Sequence, residues 1–227
     1  SIRVPGENLN GVYYANEFLT RVNLMRSRGF PKTSDTPIKL GDNVCVVGGG
    51  NVAMDCVRSA RRLGFEDVNL VYRRTVKEMP ADPVEIKEAK EEGVNFHYQV
   101  QPIKILAQDG KVSGLECIRM ELGEPDESGR RRPVKIPDSD FDLEIDQLIP
   151  AIGQKPDISM LQDVQGLQLS RWDTIEVDTV SYATDLDGVF AGGDAQTGPW
   201  IAIGAVAAGK EAAESIYRYL DGQDMSA

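Results

Sequence analysis

Val47-Gly48-Gly49-Gly50-Asn51-Val52-Ala53 carries the spacing G-x-G-x-x-A, and each fixed position suits a pyrophosphate. Gly48 permits a tight turn, Gly50 lets the backbone approach the anion, and the small Ala53 lets helix and strand pack closely. A helix opening at Asn51-Val52 would aim N–H groups without intrahelical partners at the ligand. Glycine-rich turns also serve merely to connect elements, so the setting decides. Here the turn follows the apolar run 43–47 and opens an amphipathic stretch in which Ala53, Cys56, Val57, Ala60 and Leu63 share one face. That is the setting dinucleotide binding requires.

Twenty-five residues after Gly48 come Arg73 and Arg74, at the end of the next apolar run, 68–72. A site for NAD commonly holds an acidic residue there, on the ribose hydroxyls. A planar guanidinium instead suits a 2′-phosphate, which favours NADP. Glu66 and Asp67 are rivals, nearer the nominal spacing of about 20 residues. They precede the strand and so should lie at its opposite end. A second strand–turn–helix pattern runs from Asp187 to Asp194 and on through Thr197-Gly198-Pro199 to a long Ala/Gly-rich stretch. Its glycines allow close approach, Asp194 can accept hydrogen bonds from hydroxyls such as those of a ribityl chain, and the helix start offers N–H donors to a flavin carbonyl. A bare loop before a packing helix is the competing reading of this segment.

Other reactive residue types point elsewhere. Cys45, Cys56 and Cys117 form no CxxC pair, which speaks against a dithiol redox centre, and three dispersed thiols cannot ligate a cubane cluster. They read as reduced thiols of a cytoplasmic protein. His97, the sole histidine, sits mid-strand and reads as structural. Glu78, Asp82 and Glu85 could line a nicotinamide cleft, although surface helix carboxylates are commoner. Arg130-Arg131-Arg132 reads as solvated charge at a hairpin turn. With 36 acidic against 25 basic residues the net charge is −11, which opposes nucleic-acid binding and adsorption to anionic membranes. The weakly polar stretch 200–209 is about half the length of a membrane span.

These residues need a scaffold, and the 227 residues supply the elements. A helix is expected over Gly11–Arg28 and a connector over 29–42. A βαβαβ unit follows: strand 43–47, helix to Gly64, strand 68–72, helix Pro83–Glu92 and strand Val94–Tyr98. Residues 103–106, 112–122 and 133–146, with turns at Asp109-Gly110 and Ser128-Gly129, predict an antiparallel meander. Gln147–Ile152 returns as a buried strand. Beyond it only Thr174–Val177 and Gly188–Ala191 read as strands, before a helix over Pro199–Leu220. The fold class is α/β: a Rossmann-like, doubly wound NAD(P)-binding domain with a β-meander, plus the C-terminal part of a second, FAD-type domain.

Four ordered segments, GGGNVAMDCVR (48–58), VYRRTVKEMPA (71–81), PAIGQKPD (150–157) and VFAGGDAQTGP (189–199), resemble the small subunit of NADPH-dependent glutamate synthase and its relatives. Those relatives include the matching region of dihydropyrimidine dehydrogenase and transhydrogenase-type subunits. The resemblance implies an NADPH domain inserted into an FAD domain. It divides the chain into a helix and connector from the FAD side (1–36), the NADP(H) domain (37–152) and the C-terminal part of the FAD domain (153–227). It implies that Gly48, Gly49, Gly50, Asn51 and Val52 hold the pyrophosphate and that Arg73 and Arg74 hold the 2′-phosphate. Gly153 and Gln154 would lie on the nicotinamide side, Gly193 and Asp194 would touch FAD, and the backbone of Trp200 and Ile201 would lie near the isoalloxazine. NADPH would pass hydride to the flavin, which passes electrons singly to iron–sulfur centres. Hydride transfer needs no acid, base or nucleophile, so no catalytic side chain is expected.

The chain departs from that pattern in three ways. A cysteine-rich iron–sulfur region and a first glycine-rich FAD motif are not in it, so it is expected to be a piece of a longer enzyme. Its FAD site would be partial, and its partners would be that N-terminal FAD/iron–sulfur region and a larger catalytic subunit. Relatives also often carry an acidic residue where Gly204 stands. Two other functions compete: a scaffold module that binds nucleotide without turnover, and a plain NAD(P) dehydrogenase, which the lack of a catalytic His or Tyr-Lys set disfavours.

Overall fold

A computed structural model describes residues 2–125, 129, 131–161 and 163–225. Ser128 and Arg130, assigned to turns above, lie outside the described residues. The chain forms two compact units, 1–152 and 153–227.

The first unit is built on a parallel four-stranded sheet in the order β3-β2-β1-β7. Its strands are β1 (Asn43–Val47), β2 (Asp67–Tyr72), β3 (Asn95–Tyr98) and β7 (Gln147–Pro150). β1 is apolar from Val44 onward because both of its faces are covered. Val44 and Val46 pack with Val68, Leu70 and Ile149 against the helical layer of α1 (Ala15–Asn23) and α2 (Asn51–Leu63), which contributes Phe18, Ala53, Met54 and Val57. Cys45 and Val47, on the opposite face, join Val71 and Leu148 against the meander residues Ile105, Leu115 and Cys117. That meander is the antiparallel sheet of β4 (Val100–Gln108), β5 (Lys111–Pro125) and β6 (Arg131–Leu143).

The helices end where their chemistry dictates. α2 stops at Gly64, whose φ of 87° is the left-handed conformation a glycine tolerates. α3 (Pro83–Glu91) starts with Pro83 in its first turn and Asp82 as N-cap, the carboxylate accepting from the Val84 N–H at 2.7 Å. The expected helix over Gly11–Arg28 is shorter at both ends. Residues before Ala15 are drawn into the sheet: Tyr13 N–H donates to the Leu148 carbonyl and Leu148 N–H to the Gly11 carbonyl, so Val12 bridges β7 in parallel. The helix ends at Asn23, and a separate 3-10 turn covers Ser27–Gly29.

In the second unit α4 (Asp194–Thr197) and α5 (Ala202–Leu220) are joined by loops. The strands expected at Thr174–Val177 and Gly188–Ala191 do not form. Each region makes one isolated bridge, Leu169 with Ile175 and Ala183 with Phe190. Without a neighbour to extend either ladder, the segments stay as loops. α5 starts at Ala202, three residues after the expected Pro199, because the backbone is still extended at Ile201.

Candidate functional site

β1 delivers the glycine turn to the C-terminal edge of the parallel sheet, where ligands of open α/β sheets bind. The three glycines are required for different reasons. Gly48 has φ 151°, and a Cβ there would run into the Ala151 carbonyl oxygen just beyond β7. A Cβ on Gly49 would come within 2.6 Å of the Tyr72 ring, which is held in place by its hydroxyl donating to the Glu78 carbonyl at 2.8 Å. At Gly50 the nearest atom to a Cβ would be Pro80 Cγ at 3.9 Å. The space above Gly50 is therefore open, as the approach of a pyrophosphate demands. α2 then begins at Asn51 with Gly50 as an N-cap that makes no side-chain hydrogen bond, so no side chain caps its start, and the Ala53 N–H donates to the Gly50 carbonyl at 2.9 Å. Ala53 is fully buried against the sheet, while Val52 is exposed. Asn51 Oδ1 accepts from the Asp82 N–H at 2.9 Å, tying the turn to the start of α3.

The two arginines after β2 differ. Arg73 is exposed. Arg74 is 5% exposed, and its Nε donates to the Arg131 carbonyl at 2.7 Å, at the start of β6. The sequence treats the pair alike, whereas in the structure the Arg74 Nε reaches the β5–β6 hairpin beside the loop. The rival carboxylate, Asp67, is the first residue of β2 and pairs with Asn43. It stands about 16 Å from Tyr72, at some 3.3 Å per residue, at the opposite end of the strand. It accepts instead from the side-chain amides of Asn69 (2.8 Å) and Asn95 (2.6 Å).

The loop after Arg74 is closed by a local motif. Thr75 and Glu78 form a capping box: Glu78 Oε2 accepts from the Thr75 N–H at 3.0 Å and from its hydroxyl at 2.6 Å. The Thr75 hydroxyl holds the Glu78 carboxyl below its ordinary pKa. A cavity of about 370 Å³ lies beside it, lined by Lys77, Met79, Pro80, Gly129 and Arg131 among others. Lys77 and Arg131 are cations that sequence reading did not assign to this site. Lys77 could have been found within the segment 71–81, but Arg131 arrives from the distant hairpin.

Of the carboxylates considered for a cleft, Glu78 lines this cavity. Glu78 and Asp82 are caps, and burial, then the charge of Asp55, raises the Glu85 pKa. His97 Nε2 lies 2.7 Å from Asn69 Oδ1, and burial lowers its pKa. Cys45, Cys56 and Cys117 are buried and free. Among the described residues no group of three or more His, Cys, Asp or Glu could hold a metal ion, and no helix is long and apolar enough to cross a membrane. Gly153 and Gln154 are exposed, three and four residues past the end of β7.

In the second unit Gly193 has φ 63° and ψ −146°, a conformation close to glycine-only. A Cβ there would meet Ala205 Cβ at 3.1 Å, and one on Gly192 would meet Ala208 Cβ at 3.2 Å, so the loop presses closely on α5. Asp194 is exposed, and its Oδ1 accepts from the Trp200 N–H at 3.3 Å. Ile201, the N-cap of α5, supplies no side-chain cap. A Cβ on Gly204 would lie 2.6 Å from the Trp200 ring. The departure at position 204 thus has a physical reason: the indole occupies the room a side chain would need.

Residues 1–209 match the family described as pyridine nucleotide-disulphide oxidoreductase. The chain is 46% identical over 214 residues to the NADP(+)-dependent formate dehydrogenase subunit beta of Moorella thermoacetica, covering 94% of this chain and 29% of that protein. It is 37% identical over 221 residues to the glutamate synthase [NADPH] small chain of Azospirillum brasilense, covering 96% and 46%. The chain therefore spans about a third to a half of the length of these curated relatives. Among solved structures, T. acidophilum thioredoxin reductase superposes with a TM-score of 0.70 at 22% identity, over 98% of this chain and 62% of that one, a likeness of fold. An open glycine turn at the edge of a parallel sheet, followed by an uncapped helix and an exposed arginine, agrees with those matches, and the chain belongs to the pyridine nucleotide-disulphide oxidoreductase family.

Proposed function

We propose that this chain is the NADP(H)-binding module, with part of the FAD-binding module, of an oxidoreductase that passes electrons from NADPH through a flavin to iron–sulfur acceptors. The observation that carries this reading is the division of labour in the glycine turn. Gly48 and Gly49 are demanded by Ala151 and Tyr72, whereas Gly50 faces open space. The fold alone does not ask for glycine at that third position; an approaching pyrophosphate does.

The chain's residues fit both cofactors. For NADP(H), the N–H groups at Gly50, Asn51 and Val52 would receive the pyrophosphate. Arg73 would reach the 2′-phosphate, with Arg74 and the Thr75–Glu78 box fixing the loop that presents it. Gly153 and Gln154 would border the nicotinamide. For FAD, the Asp194 carboxylate would accept from sugar-alcohol hydroxyls beside Gly193, and the uncapped start of α5 near Trp200 and Ile201 would face a flavin carbonyl. Bound FAD would supply the conversion of a two-electron donor into single electrons. No side chain of this chain has to move a proton for that exchange.

We assign residues 1–36 and 153–227 to the flavin side and 37–152 to the nucleotide side. The relatives carry names of subunits or small chains, which supports a larger catalytic partner, and the proposed electron path calls for a further FAD/iron–sulfur region. Three free thiols suit the cytoplasm. The test is made on the full-length protein. It should purify with FAD and reduce a dye with NADPH, and a protein without flavin, or one driven equally by NADH, overturns the reading.

A further inference from the structure

We propose that the indole of Trp200, seated on Gly204, is a stacking surface for the isoalloxazine ring of FAD; this rests on the flavin reading above and adds to it a side chain that touches the ring. The seat is built. Pro199 precedes Trp200, Ile201 follows it as the N-cap of α5, and the Trp200 N–H is held by Asp194 Oδ1 at 3.3 Å. The backbone under the ring is therefore restrained by the proline ring on one side and the start of α5 on the other. The six-membered part of the indole lies against α5: a Cβ on Gly204 would be 2.6 Å from Cε3 and Cζ3 and 3.4 Å from Cη2. Only glycine at 204 lets the ring settle there.

The other side of the ring is open, with the residue 66% exposed. A large apolar plane, held still on one face and bare on the other, has the form of a platform for a second plane. The class of ligand follows from the electronics. Indole is the most electron-rich side-chain ring and stacks with flat, electron-poor heterocycles. The isoalloxazine ring is such a partner, and the carboxylate that would bind its side chain, Asp194, is the one that fixes the Trp200 backbone. An indole in van der Waals contact with a flavin also quenches flavin emission, which gives a readout independent of turnover.

The test uses the full-length protein, comparing bound-flavin fluorescence and the FAD dissociation constant of the flavin-stripped protein. Trp200→Ala should raise bound-flavin emission several-fold and weaken FAD binding about tenfold, since one stacked ring contributes roughly 1–3 kcal/mol. Trp200→Phe should keep FAD affinity within about threefold. Gly204→Ala, which leaves the indole present but pushes it from its seat, should raise the emission as well, and it decides the matter if Trp200→Ala does not fold. Unchanged emission and affinity in Trp200→Ala or in Gly204→Ala, in a parent protein that holds FAD, overturns the stacking proposal and leaves the flavin reading intact. A parent protein that binds no FAD overturns the flavin reading itself.

Discussion

Arg73 and Arg74 are neighbours in sequence with different surroundings, and replacing each by alanine should separate selectivity from stability. Arg73 is exposed at the C-terminal end of β2 and, in the proposed reading, would contribute only when a 2′-phosphate arrives. A hydrogen bond to a charged group is worth about 1.5–3 kcal/mol, and solvent around an exposed guanidinium favours the lower end. Arg73→Ala should therefore weaken NADPH binding about tenfold, leave NADH binding within a factor of two or so, and leave the melting temperature unchanged. Arg74 is buried and donates to the Arg131 carbonyl. Its loss removes a buried guanidinium and its hydrogen bond to the hairpin, which should cost about 2 kcal/mol, roughly 4–8 °C in melting temperature. Titration calorimetry with both nucleotides, alongside calorimetric melting, reads all of these quantities. Equal weakening of both nucleotides in Arg73→Ala, or loss of the preference in Arg74→Ala without a lower melting temperature, would overturn this division of roles.

Gly50→Ala should fold like the parent, since its Cβ meets nothing closer than 3.9 Å, yet lose nucleotide affinity in calorimetry; Gly48→Ala should instead melt several degrees lower, with its Cβ against the Ala151 carbonyl. Burial pushes the Cys117 thiol up to about 12 and raises Cys45 and Cys56 as well. Only the unfolded chain then releases these protons near its ordinary value of about 8.5, so stability falls as pH rises above that value, and a thiol reagent should react with the native protein far more slowly than with the denatured one. Arg58 pairs with Glu88 at 2.8 Å and Glu92 at 2.9 Å, clasping α2 to α3. Arg58→Ala should cost about 1 kcal/mol in a urea melt at neutral pH. Arg58 holds the Glu92 carboxyl below its ordinary value, so this contribution is present above about pH 4.3 and is lost as pH falls through the lower folded pKa.

The βαβ core was legible because its signals are local. The apolar run 43–47, the glycines and the helical face ending at Leu63 lie within some 20 residues of one another, and sheet burial on both faces leaves no ambiguity of pattern. The meander was legible from its turn residues. What sequence did not reveal depends on partners far along the chain. Gly49 answers to Tyr72, and Gly48 to Ala151. The difference between Arg73 and Arg74 is made by Arg131, 57 residues after Arg74, and nothing in the dipeptide signals it. The short apolar runs at 174–177 and 188–191 resemble strands, yet a strand needs a ladder, and each finds a single bridge. Trp200 and Gly204 are one turn apart, but the need for glycine beneath the indole shows only once the ring is placed on the helix.

In the proposed reading the open side of the Gly48–Ala53 turn receives the pyrophosphate of NADP(H). Backbone amide chemical shifts, followed by NMR while NADP+ is added, test it most directly. The largest shifts are expected at the amides of Gly50, Asn51 and Val52, with the Arg73 side chain responding to NADP+ and not to NAD+. Saturating NADP+ that leaves those three amides unmoved would contradict it.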